Sequence, residues 1–141
     1  MSMQIFSPEE SSEFGVAYVG RQIIAGFPSP AEDYLENILD LNKAVVKNPS
    51  ATFYGRVSGQ SMKDAGVSDG DLLVIDRSLE YRNNALAVCF LNGEFTLKRV
   101  KRTKDGLVLM PANKDFPPIP VTGEADFSIW GIVTYILKKV Y

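Results

Sequence analysis

Short apolar runs separated by turn residues dominate the chain from Ala51 onward. Asp69-Gly70 precedes one of these runs, while Asn92-Gly93 and Asp105-Gly106 each join two of them. Asn-Gly and Asp-Gly between apolar runs are strong β-hairpin signals. The runs are Thr52–Val57, Leu72–Ile75, Leu86–Leu91, Phe95–Val100, Leu107–Met110 and Phe127–Val140. The pattern therefore predicts a compact antiparallel β domain over residues 51–141, in a protein that is mostly β.

Residues 1–50 have a different character and are predicted to form an extended, partly helical N-terminal arm. Pro28 and Pro30 oppose regular structure where they stand. After them, Ala31–Val46 carries apolar residues at helical spacing, and Ser29 with Glu32 resembles a capping box. The spacing predicts a short helix over residues 31–46.

The charge balance argues against DNA binding by the chain on its own. Fifteen basic and seventeen acidic residues give a net charge of −2, whereas binding to the nucleic acid backbone relies on a basic surface. A local basic cluster is the exception, and it is either a solvated strand end or a partner surface. Its members are Lys98, Arg99, Lys101, Arg102 and Lys104.

Other composition features exclude several classes of site. The lone cysteine, Cys89, cannot form an intrachain disulfide, and its apolar neighbours predict a buried structural thiol. Nothing has the spacing of zinc ligands, so we expect no metal and no cofactor. The chain has neither a signal-peptide pattern nor an apolar run of the roughly 18 residues that a membrane span needs. We therefore expect a cytoplasmic protein with no membrane association.

Ser61 and Lys98 are the candidate catalytic residues. The chain contains no histidine, and a serine hydroxyl needs a neighbouring base to attack a carbonyl at neutral pH. A lysine can be that base if its surroundings hold it uncharged. Gly59 beside the serine motif would allow a substrate backbone to approach, and the backbone N–H groups of Gln60 and Ser61 could hold an oxyanion. The alternative is a serine-rich turn without catalytic function.

Strand alternation does not decide whether Lys98 is buried. It would share one face with Thr96 and Val100, and the opposite face would carry Phe95, Leu97 and Arg99. Each face would therefore carry both apolar and polar side chains. A general base needs a pKa near 7–8, about 3 units below that of a free lysine, and the alternative is a surface lysine whose stem lies along apolar neighbours.

Several motifs, taken in order, resemble the UmuD-type proteins of SOS mutagenesis within the LexA-like self-cleaving peptidases. The resemblance covers residues 23–141 and includes Ala25-Gly26-Phe27-Pro28, Ser58-Gly59-Gln60-Ser61-Met62, Gly66–Leu73 and Gly93–Arg99. It implies that Ser61 is the nucleophile, that Lys98 is the general base, and that the bond cut is Ala25–Gly26 of the chain's own arm. The apolar segment Ile23-Ile24 before that bond suits an extended strand docked at a sheet edge.

The resemblance also implies biological partners. It describes a homodimer whose self-cleavage is stimulated by RecA filaments and whose shortened form joins a UmuC-type DNA polymerase in translesion synthesis. The 25 residues before Gly26 are too few for a helix-turn-helix domain, which favours this branch over a truncated LexA-like repressor. A signal-peptidase-like protease and a non-enzymatic dimerisation module are the competing interpretations of the same residues.

Overall fold

The computed structural model describes residues 2–7, 15–19, 35–59, 65–110, 115 and 117–141. Ten strands, one short α-helix and a 3₁₀ turn (Pro49–Ala51) lie within these ranges. The elements are β1 (Ser2–Phe6), β2 (Gly15–Val19), β3 (Leu35–Asp40), α1 (Leu41–Val45), β4 (Thr52–Ser58), β5 (Leu72–Asp76), β6 (Ala85–Leu91), β7 (Glu94–Thr103), β8 (Gly106–Met110), β9 (Ile119–Pro120) and β10 (Phe127–Leu137). The protein is mostly β, as the apolar pattern predicts.

Eight of the described strands form one antiparallel sheet in the order β1-β4-β5-β10-β6-β7-β8-β9. The Asn-Gly hairpin between β6 and β7 and the Asp-Gly hairpin between β7 and β8 both form as the sequence predicts. Asn92 (φ 49°) and Gly93 (φ 87°) both have positive φ, which a tight hairpin of this kind requires. The turn chemistry therefore fixes the register of β6 against β7.

Two hydrophobic clusters occupy opposite faces of the central strands. We call them the first core and the second core. The first core contains Val57, Val67, Leu73, Ile75, Leu86, Val88 and Leu97. The second core contains Ala87, Cys89, Val100 and Leu109. The central strands therefore bury both faces, so their sequences read as continuous apolar runs instead of alternating ones.

Strand β10 contributes side chains to both cores, and its register shifts twice along its length. One irregularity lies between Ile129 and Gly131 against β6, and the other lies between Val133 and Tyr135 against β5. An extra residue at each bulge exchanges the faces of the residues that follow it. As a result of the first irregularity, Ile129 and Ile132 pack on the same core, the second, although they are three positions apart, and Val133 packs on the first core.

Strand β1 was not predicted from the sequence. It pairs with β4 over five positions, from Ser2 opposite Ser58 to Phe6 opposite Tyr54, and Met3 packs against the first core. The compact unit that contains the large sheet comprises residues 1–8 together with 48–141. The division into an arm of residues 1–50 and a domain of residues 51–141 stays a prediction. Strand β1 lies within the predicted arm, but it pairs with β4 of the predicted domain.

Residues 9–47 form a second compact unit. Within it β2 pairs antiparallel with β3, from Gly15 opposite Asp40 to Val19 opposite Leu35. Within the described part of residues 31–46, the predicted helix is present as α1, where the Asp40 side chain accepts a hydrogen bond from the Asn42 N–H (3.0 Å). For residues 35–40 the prediction was wrong, because these residues form β3. Only a few apolar residues have helical spacing there, and pairing with β2 outweighs that weak preference. The proposed capping residues Ser29 and Glu32 lie outside the described residues.

No helix in the described ranges has the length and apolarity to cross a membrane.

Candidate active site

Lys98 lies in the middle of β7 on the face of the second core. Its cross-strand partner is Ala87, and Thr96 on the same face is paired with Cys89. Directly opposite residues of an antiparallel pair project to the same side of the sheet. Ala87, Cys89 and Val100 are each 0% exposed. The structure therefore shows what alternation alone leaves open: Lys98 lies on a face of the sheet whose neighbouring side chains are mostly apolar and buried.

The environment of Lys98 favours its uncharged form. Lys98 is half-buried, and desolvation lowers its pKa below the usual range for a lysine. A thiolate at Cys89 would oppose this effect, but burial raises the pKa of the Cys89 thiol to about 12 against the opposing charge of Lys98. Around neutral pH Cys89 is therefore an uncharged thiol, and no anion at this position holds the proton on Lys98.

Ser61 and Gln60 lie outside the described residues, as do residues 62–64. The structure describes both flanks of this segment. On one side Gly59 follows β4 with φ 106°, a left-handed conformation that glycine adopts without a steric penalty. Its N–H donates to the Asp69 carboxylate (Oδ1, 3.1 Å). The Asp69 side chain thus links Gly59, which precedes the serine segment (residues 60–64), to the turn that follows that segment.

The other flank is held by a buried carboxylate. Asp71 is 3% exposed and accepts hydrogen bonds from the Ser68 N–H (2.8 Å) and from Lys138 Nζ (2.5 Å). Backbone bonds join the same turn to β4, because the Val57 N–H donates to the Asp71 carbonyl and the Gly70 N–H donates to the Val57 carbonyl. Val67, at 0% exposure, anchors this flank in the first core.

Sequence reasoning did not identify these supporting residues. Asp69 and Asp71 stand in a Ser-Asp-Gly-Asp turn, and acidic residues in turns accept hydrogen bonds from nearby backbone, so a local signal was present. Lys138 carried no signal, because its ion pair with Asp71 joins positions that are far apart in sequence. Within the described ranges, no group of acidic, cysteine or histidine side chains is arranged to hold a metal ion.

The proposed cleavage residues Ala25 and Gly26 also lie outside the described residues. Their position in the chain is nevertheless informative, because it falls between β2 and β3, two strands that pair with each other. A cut at this bond would separate the chain into one part that carries β1 and β2 and another that carries all the remaining described strands.

Comparison with known proteins identifies the family. Residues 17–134 match the family described as Peptidase S24-like. The chain is 40% identical over 139 residues to Protein MucA of Salmonella typhimurium, which covers 97% of this chain and 94% of the relative. It is 41% identical over 115 residues to Protein ImpA of Shigella flexneri, covering 82% of this chain and 78% of the relative. Protein SamA of Salmonella typhimurium is 40% identical over 115 residues, covering 82% of this chain and 79% of the relative.

These matches extend over most of the chain and include β4 to β8, the strands on both sides of the serine segment, and Lys98. They confirm the resemblance that the motifs predict, and membership in this family implies serine peptidase activity. The chain therefore belongs to the Peptidase S24-like family and is a UmuD-type member of it.

Proposed function

We propose that the protein is a self-cleaving serine peptidase in which Ser61 is the nucleophile and Lys98 is the general base. The bond cut is Ala25–Gly26 of the chain's own arm. The backbone N–H groups of Gln60 and Ser61 hold the oxyanion. The observation that carries this proposal is the apolar setting of Lys98, which lies opposite the fully buried Ala87 and has a lowered pKa.

The setting of Lys98 suits a base better than it suits a structural cation. No salt bridge joins Lys98 to a carboxylate among the residues described, and burying an unpaired ammonium destabilises a fold. Such an unfavourable arrangement at one position is typical of a functional site. The neighbouring lysine of the same strand, Lys101, is exposed and shows what an ordinary surface lysine on β7 is like.

The chemistry follows from these roles. Neutral Lys98 accepts the proton of the Ser61 hydroxyl as its oxygen attacks the carbonyl carbon of Ala25. The tetrahedral intermediate collapses, the bond to the Gly26 nitrogen breaks, and Lys98 returns the proton to the departing amine. Water then attacks the acyl-serine with Lys98 again as base, which frees Ser61 and leaves a carboxylate on Ala25. The substrate is the protein's own arm, so each active site needs a single turnover.

We place this reaction in the SOS response. The UmuD-type relatives support a homodimer that acts in SOS mutagenesis. We propose in addition that RecA filaments on single-stranded DNA stimulate the cleavage. The shortened dimer would join a UmuC-type polymerase to permit translesion synthesis. The net charge of −2 agrees with a protein that reaches DNA through its partners.

The test is self-cleavage of the purified protein, followed by N-terminal sequencing of the large fragment. Wild-type protein is expected to yield a fragment that begins at Gly26, and activated RecA filaments should accelerate its formation. Ser61→Ala and Lys98→Ala should both remain whole under the same conditions. Lys101→Ala is the matched control, because it removes a lysine from the exposed part of the same strand, and it should cleave like wild type. The same fragment appearing from purified Lys98→Ala protein at an unchanged rate would rule out the lysine as base.

A further inference from the structure

The proposed cut divides the strands of the fold in an unexpected way. Residues 1–25 contain β1 and β2, and residues 26–141 contain every other described strand. Both strands of the small fragment pair with strands of the large one, since β1 pairs with β4 and β2 pairs with β3. Cleavage of one peptide bond breaks neither of these pairings.

The pairing of β1 with β4 leaves a defined space for the Met3 side chain, which we call the Met3 site. Met3 lies opposite Val57 and packs against the first core, and Ile5 lies opposite Gly55. A Cβ built on Gly55 would stand 2.9 Å from Met3 Sδ and 2.9 Å from Ile75 Cδ1, distances too short for real contacts. Glycine at position 55 is therefore what allows the Met3 side chain to occupy this place.

Strand β1 alternates apolar and polar residues, which is typical of a strand that packs one of its faces against a core. Met3 and Ile5 lie on the face of the first core and are partly buried, while Gln4 is exposed on the opposite face. β1 contacts β7 as well as β4, so it packs across the interior in addition to its pairing along one edge. The small fragment thus combines a ladder of backbone hydrogen bonds with apolar contact at its first strand.

We propose that the edge of β4 is a strand-binding site whose ligand after self-cleavage is the chain's own residues 1–25. The cut fragment stays bound without a covalent link, held by β1 on β4 and by β2 on β3. Dissociation of the fragment is a separate later step, and it exposes the β4 edge and the Met3 site. This inference depends on the cleavage position given under Proposed function.

The physical consequence of the cut is a change in effective concentration. Before the cut, the covalent connection keeps β1 and β4 at a high effective concentration, so the pairing is intramolecular. After the cut, the same contacts must hold at the actual concentration of the fragments. The cut molecule is therefore expected to keep its fragment when concentrated and to lose it on dilution, or when another extended peptide with alternating apolar residues competes for the edge.

The experiment separates retention from self-cleavage. A recognition sequence for a site-specific protease is inserted between Ala25 and Gly26 in full-length Ser61→Ala protein, and the added protease makes the cut. Size-exclusion chromatography and native mass spectrometry then follow both fragments, with a denaturing gel to prove that the bond is broken. Coelution of the two fragments, followed by release on serial dilution or on addition of synthetic peptide 1–25, is the expected result. Immediate separation of the fragments, or precipitation of residues 26–141 without the small fragment, would overturn the inference.

Met3→Ala and Gln4→Ala form the matched pair of variants. Both change β1, but only the first removes a side chain that packs against the first core. Met3→Ala should weaken retention by about tenfold or more, as expected for loss of a core contact, whereas Gln4→Ala should resemble the parent. Fluorescence of Trp130, which packs on the same core, checks that the uncut variants are folded. Equal retention in the two variants would exclude β1 as an attachment. Because the protease makes the cut, retention without self-cleavage supports the inference and leaves only the proposed function in doubt.

Discussion

Lys98 lies directly opposite Ala87 in the pairing of β6 with β7, and Ala87 is 0% exposed. Among the residues that the structure describes, no salt bridge joins Lys98 to a carboxylate, and the Cys89 thiol on the same face is uncharged around neutral pH because burial raises its pKa to about 12. The result is a lysine whose pKa is lowered by desolvation. The pKa of Lys98 therefore depends on the residues of the neighbouring strand as well as on its own position.

Self-cleavage without an activator should become faster as the pH rises. Only neutral Lys98 accepts a proton, and the neutral fraction increases with pH until the pH passes the pKa of Lys98, which burial lowers. The measurement is the rate of cut product in purified protein across a series from about pH 6 to about pH 10, which spans the range of a lowered lysine pKa. Ser61→Ala protein in the same buffers controls for other hydrolysis. A rate that does not change over this range would contradict a lysine base.

Lys98→Met should stabilise the protein near neutral pH while abolishing cleavage. The pKa of Lys98 is lower in the folded chain than in the unfolded chain, where it is about 10.4. Between these two values the unfolded chain holds the additional proton, so stability rises with pH. Below both values the folded state carries the full cost of a charge on the half-buried Lys98. Removing the charge should raise the free energy of unfolding near neutral pH by about 0.5–2 kcal/mol.

Urea unfolding at neutral pH and at about pH 10, close to the pKa of a free lysine, tests this prediction. The gain from Lys98→Met should be smaller at the higher pH, because there the wild-type lysine is less charged. Lys101→Met, at an exposed position on the same strand, should give no comparable gain. A destabilised Lys98→Met protein at neutral pH would mean that the lysine has a favourable contact in the fold.

Asp71→Ala should destabilise the turn that follows the serine segment and slow self-cleavage. The substitution leaves the Ser68 N–H and Lys138 Nζ without their buried acceptor, at a cost of about 1–3 kcal/mol. Thermal unfolding measures the stability, and the rate of fragment formation measures the effect on the site. Asp105→Ala, which changes an exposed aspartate in the β7–β8 turn, serves as the comparison and should leave the cleavage rate unchanged. An unaltered rate in Asp71→Ala would show that this flank does not position Ser61.

Gly131→Ala should destabilise the central sheet. A Cβ at position 131 would stand 2.6 Å from Ile75 Cγ2, and overpacking of this kind costs about 1–3 kcal/mol. Gly123→Ala is a suitable control, because a Cβ there meets nothing within 4 Å. Denaturant unfolding of both variants should show a loss of stability for the first alone. Equal stabilities would mean that Ile75 moves aside at little cost.

The hairpins were predictable because their signals are local. Asn92-Gly93 and Asp105-Gly106 impose turn geometry by their own backbone preferences, and the strands on either side follow. The buried state of Cys89 was also evident from its apolar neighbours. These features depend on residues that are close together in the sequence.

The features that the sequence did not predict depend on distant residues. β1 is a strand because β4 accepts it and because Gly55 leaves room for Met3, and neither fact is visible in residues 1–10. Leu35–Asp40 has the spacing of a helix but pairs with β2. The setting of Lys98 requires the register of β6 against β7, so alternation along β7 alone left its burial open.

The two bulges of β10 make its length a constraint on the whole fold. Ile129 and Ile132, three positions apart, pack on the same core only because an additional residue stands at the first irregularity, and the second irregularity does the same for Val133 and Ile136. Loss of a single residue between the bulges would turn every side chain beyond that point to the wrong side of the sheet. The number of residues in β10 therefore carries structural information of its own, in addition to the identity of its side chains.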